Sequence, residues 1–161
     1  MESTGILTTL ASVSMTFVGF TALLIAFRGG RPHDNWDSFQ RFQFTIVIAH
    51  SLTAVFGSLG VIVIAGLIGE VPALRLAGLA LAVVAIALAN YARVRSRVVR
   101  PGERRRDRVP FLGAVIAATV AFLAESVVPN IALYELGLLF LLATPALVFR
   151  FVVTNLGGGA E

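Results

Sequence analysis

His50 is the one histidine inside an apolar stretch of this chain, and the residues spaced around it are polar or small. Gln43, His50, Thr53, Gly57 and Gly60 recur at three-, four- and seven-residue intervals, which puts them on about one face of a helix. In hydrocarbon such a stripe must face protein or water, because lipid tails offer no hydrogen-bond partner. An imidazole there can gate a pore or relay protons. It can equally hydrogen-bond a neighbouring helix while the glycines permit close approach.

A second pattern lies near the N-terminus. Gly5, Thr9, Ser12, Thr16 and Gly19 follow a 4-3-4-3 spacing, with Thr8, Ser14 and Thr21 nearby. Helical hydroxyls can bond their own i−4 carbonyls and are therefore cheap to bury. The strip reads either as a helix–helix contact or as a hydroxyl-lined pore wall around an oligomer axis.

Two acids, Glu125 and Glu135, flank the turn marked by Pro129-Asn130. A ring of carboxylates at a pore mouth concentrates cations, although acids at helix ends on an outer surface are also ordinary. Glu135 falls in a first helical turn, where the dipole favours negative charge.

Arginine is clustered. Arg93, Arg95, Arg97, Arg100, Arg104, Arg105, Arg106 and Arg108 crowd one connecting segment. Beside a membrane each attracts anionic phospholipid head groups by about 1 kcal/mol, and the cluster can also dock a partner protein. No aromatic residues interleave Arg104-Arg105-Arg106-Asp107-Arg108 to stack bases, so nucleic acid is not an expected partner.

Other chemistry is missing. The chain has no cysteine, which removes thiolate catalysis and cysteine-ligated metals. It has no lysine to form a Schiff base. It contains neither a His-Glu-x-x-His pair nor a Gly-x-Ser-x-Gly elbow, and Gly57-Ser58-Leu59-Gly60 does not match the latter. With only His33 and His50, no multi-imidazole metal site is available. No enzyme activity, metal or cofactor is expected.

The elements that must position these residues follow from the gaps between charges. Of 161 residues, 57% are hydrophobic and 14% charged, with a mean hydropathy of +0.88. A soluble domain carries roughly 25% charged residues. Five stretches, 5–27, 38–67, 72–92, 111–128 and 131–153, are each about as long as the ~30 Å hydrocarbon core requires. The expected fold is therefore an all-α integral membrane protein, a bundle of five transmembrane helices in a single domain. Asp37 and Gln40 form capping chemistry for the second span. The second and third spans overrun the core and are expected to project as a short cytoplasmic hairpin, with Tyr91, Val94 and Val98 on one stripe. Residues 93–109 form the basic cytoplasmic loop and 154–161 a flexible tail. Pro145 should kink the last span, with Thr144 helping to satisfy the freed backbone.

Twelve of the 13 arginines fall on one side of a five-crossing path, and only Arg75 on the other. The positive-inside rule then sets the N-terminus outside and the C-terminus in the cytoplasm of a multi-pass inner-membrane protein. Met1-Glu2-Ser3-Thr4 lacks a basic signal-peptide n-region, so the first span is expected to be retained. The third span is rich in alanine, which with the first-span strip suggests a cyclic homo-oligomer. The function expected is a homo-oligomeric channel or passive pore for ions or small solutes. The alternative is a non-conducting membrane interaction or regulatory module that binds a partner protein or anionic lipid through the arginine-rich loop.

Overall fold

A computed structural model describes residues 2–29, 38–99 and 109–157, with side chains over 4–23, 41–95, 111–148 and 150. All of the secondary structure in these residues is helical: α1 Glu2–Gly29, α2 Ser38–Ile68, α3 Glu70–Val99, α4 Val109–Val127 and α5 Ile131–Gly157. Runs of Ala, Leu, Ile and Val with few charges can satisfy their backbone in hydrocarbon only by pairing within the segment, and that means helix. Four of the five are long and apolar enough to cross a membrane. The apolar part of α4, Phe111–Val127, is shorter, and the whole helix, Val109–Val127, has 19 residues and spans about 28 Å.

The turns have local causes. A single residue, Gly69, separates α2 from α3, and its φ of 91° lies in the left-handed region that a Cβ disfavours. Its N–H donates to the Ala65 carbonyl at 3.0 Å, and its own carbonyl accepts from Ala73 at 3.2 Å. Pro72 therefore lies inside the first turn of α3, where a missing N–H is harmless. The third helix thus starts at Glu70, before the Pro72 boundary expected from sequence. At the other link Asn130 caps α5, its Oδ1 accepting from the Ala132 N–H at 2.9 Å. The Asp37 cap, the loop arginines 100–108 and the last tail residues lie outside the described residues. α5 continues to Gly157, past the expected end at Val153, and stays unbroken through Pro145. Thr144 does not assist there, because its Oγ1 has no hydrogen-bond partner among the described residues.

Sequence neighbours pack side by side, and α5 returns against α2, so α2, α3, α4 and α5 close into a four-helix bundle. α1 lies outside this ring, mainly on α2 with a lighter touch on α5. Phe122, Tyr134, Leu138 and Leu141 are fully buried between the helices, with Ala54, Ala73, Ala77 and Ala82 letting the backbones approach. Near the other end of the hairpin, the Phe42 and Tyr91 rings lie 6.4 Å apart, so α2 and α3 remain adjacent there. On this part of α3, Tyr91 and Val94 of the expected stripe are exposed and Ala92 is buried, while the side chain of Val98 lies outside the described residues.

Candidate functional site

The polar stripe on α2 is inside the subunit. Gln43 and His50 are buried, while Thr53, Gly57 and Gly60 are partly covered. The His50 ring packs edge-on to Phe111 of α4 at 6.0 Å between centroids. Its Nδ1 lies 2.9 Å from the Ile46 carbonyl, which can only accept, so Nδ1 carries the hydrogen of this bond. Nε2 is buried with no hydrogen-bond partner among the described residues. Thr53 donates back to the Ala49 carbonyl at 2.8 Å. The Gly57 carbonyl accepts a 2.8 Å bond from the Tyr134 hydroxyl of α5, a link across 77 residues that spacing alone does not reveal.

Sequence reading missed two further members of this interior. Leu138 packs against Gly57, where a Cβ would lie 3.2 Å from its Cδ2. The two members are Ser51 of α2 and Thr144 of α5. Both hydroxyls are buried, and neither has a hydrogen-bond partner among the described residues. Single serines and threonines in apolar helices are common, so only the packing singles these out.

Glu125 departs most from expectation. It does not stand on an outer surface: its side chain is fully buried, turned into the bundle against Gly78 of α3. A Cβ on Gly78 would collide with the Glu125 carboxylate, and it would lie 3.0 Å from the Phe122 carbonyl oxygen. Neither carboxylate oxygen has a hydrogen-bond partner among the described residues. Arg75, one turn before Gly78, acts on the carboxyl electrostatically. Tyr134 also feels its charge. Glu135 is half-buried, and its Oε1 is buried without a hydrogen-bond partner among the described residues. The signal that could have found the Glu125 pocket is a glycine on the facing helix, visible only once the two helices are aligned.

The first-span strip has the opposite placement. Gly5, Thr9, Ser12, Thr16 and Gly19 all face away from the bundle, and nothing lies within 4 Å of a Cβ built on Gly5 or Gly19. Leu7, Leu10, Ala11, Ser14 and Thr21 form the face that α1 buries. The outward hydroxyls donate to their own helix: Thr9 to Gly5 at 2.8 Å, Ser12 to Thr8 at 2.9 Å and Thr16 to Ser12 at 3.0 Å. Their hydrogens point along the helix, leaving oxygen lone pairs on the outer surface.

The alanines of α3 are engaged inside the subunit. Ala73, Ala77, Ala82 and Ala85, together with Gly78, line the buried face, while Ala80 and Ala87 are exposed. Most small residues of this helix therefore close its own bundle and are not available for contact between subunits. Arg93 and Arg95 are exposed, and Arg150 is exposed near the end of α5. The side chains of Arg97, Arg100, Arg104, Arg105, Arg106 and Arg108 lie outside the described residues. Among the described residues no cluster of His, Asp and Glu could hold a metal ion.

No family model, curated protein or solved structure matches this chain.

Proposed function

We propose that this chain is a multi-pass inner-membrane protein with five crossings, N-terminus outside, which assembles as a homo-oligomeric channel or passive pore for ions or small solutes. The single observation that carries the reading is the outward strip of α1. Thr9, Ser12 and Thr16 sit on a surface that their own subunit leaves uncovered, and lipid is a poor neighbour for hydroxyl oxygens. Around a symmetry axis, copies of this strip form a wall of acceptor oxygens, which suits partly dehydrated cations better than anions. The α2 stripe and Glu125 play no part in that wall. The first stabilises the bundle interior and the second lies within it.

The test is flux. Protein reconstituted into liposomes passes small cations, and Ser12→Leu together with Thr16→Leu reduces that flux at least tenfold by lining the same wall with hydrocarbon. Liposomes that stay tight across several salts and pH values remove the channel. They leave the second reading, a membrane interaction module. That reading draws on the packed, ring-filled interior of α2–α5 and on the basic segment between α3 and α4.

A further inference from the structure

On the outer side of the bundle α3 and α4 do not close completely. Between them runs a groove of about 190 Å³, walled by Ile86, Ala89 and Asn90 of α3 and by Leu112, Ile116 and Val120 of α4, among others. Ala89 supplies part of the room, since its short side chain leaves the α3 wall low. For scale, an apolar cavity of roughly 150 Å³ accepts a benzene ring. A neighbouring helix, about 10 Å across with its side chains, would rest on the rims of such a groove and leave it empty. A slender, flexible chain fills it.

The groove is graded in polarity along its length. Ile86, Leu112, Ile116 and Val120 are exposed apolar side chains. The Thr119 hydroxyl in its wall already donates to the Val115 carbonyl at 2.8 Å, so it demands nothing of an occupant. Asn90 lies at the end that faces the α3 C-terminus. One turn further on the same row of the helix stands Arg93, seven residues and about 10 Å from Ile86. Arg93 is exposed. An apolar trough that ends in an amide and then a guanidinium complements an amphiphile with an anionic head.

We propose that this groove holds one acyl chain of an anionic phospholipid, with the lipid phosphate at Arg93 and its ester region at Asn90. In hydrocarbon the chain gains dispersion contacts rather than transfer from water, so the groove supplies shape selection. The guanidinium, a planar fork suited to phosphate, supplies the charge selection. The proposal rests on membrane embedding and not on conduction, so it stands or falls independently of the flux experiment.

The experiment is native mass spectrometry of the full chain in detergent, with phosphatidylglycerol or phosphatidylcholine of identical chains added. The expected result is one phosphatidylglycerol retained per subunit in preference to phosphatidylcholine. Arg93→Gln should weaken that retention about fivefold, the factor corresponding to about 1 kcal/mol for one interfacial arginine. Ile116→Trp, which fills the trough from an exposed position, should reduce it to the phosphatidylcholine level. Changing Arg104, Arg105 and Arg106 together to Gln should leave most of the selectivity in place. Equal retention of the two lipids overturns the proposal. So does unchanged phosphatidylglycerol retention in Ile116→Trp, with or without a change in subunit number. Loss of selectivity in the triple variant alone would also overturn it, by moving the site to the loop.

Discussion

A carboxylate such as Glu125, with both oxygens buried and no hydrogen-bond partner among the described residues, is a costly thing to keep in an apolar bundle. The penalty for a buried ion is several kcal/mol, and Arg75, the charge on α3 that acts on it, is itself exposed, so its attraction is screened. Glu125→Gln keeps the shape and removes the charge, so it is expected to leave the melting of the detergent-solubilised protein unchanged or to raise it by about 1 kcal/mol. A loss of about 3 kcal/mol or more, larger than an exposed partner such as Arg75 supplies, would mean that the carboxylate itself holds α3 to α4. None of this was legible at position 125 in the sequence. A glutamate four residues before a proline reads as the surface end of a helix, and the residue that makes it otherwise is Gly78, 47 positions earlier. Likewise, the Tyr134–Gly57 bond requires knowing that α5 returns to α2, which neither residue announces.

At the scale of single helices much more was legible, because one-dimensional hydropathy and the length of a bilayer are the same physics. The stretches read from sequence reappear as α1 to α5 with ends shifted by a few residues. The largest shifts have visible causes. Gly69 turns the chain in one residue, which brings Pro72 inside a helix, and α3 carries on through arginines that hydropathy alone would exclude. Which way a face points was legible only in part. The small-residue strip of α1 was found from spacing, yet its outward direction depends on α1 burying Leu7 and Leu10 on the opposite side. The alanines of α3 looked equally available, yet Ala73, Ala77, Ala82 and Ala85 are engaged inside while Ala80 and Ala87 are exposed. Gly69 itself yields a prediction at this scale. With φ at 91°, Gly69→Ala forces a Cβ into the left-handed region at a cost of about 1–2 kcal/mol. Thermal unfolding in detergent should register that cost, and an unchanged midpoint would mean that the turn relaxes to another shape.

For the whole molecule the open quantity is the number of crossings. Four helices meet the length and apolarity needed to span, and α4 is the one whose passage decides on which side the C-terminus lies. The absence of cysteine makes the test clean. Ser3→Cys and Thr154→Cys, made separately and exposed in intact cells to a membrane-impermeant maleimide, should give a labelled first variant and an unlabelled second. Labelling of both, or of neither, sets the crossings at an even number and returns α4 to the membrane surface or the protein interior. Packing bears on this from another direction: Ala118 and Phe122 of α4 are fully buried against its neighbours, while Leu112, Ile116 and Val120 are exposed. A helix with one face in the bundle and an apolar opposite face has the composition of a lipid-facing wall.

The one-residue joint at Gly69 has a mechanical corollary. Two helices of about 45 Å hinged at a common tip behave like the legs of a calliper. Their tips at the joint cannot part, whereas a tilt of a few degrees there is magnified into several ångströms at the far ends, where Phe42 meets Tyr91. Any opening of this hairpin therefore has its largest stroke at the arginine-bearing end, where it would separate the Phe42 and Tyr91 rings.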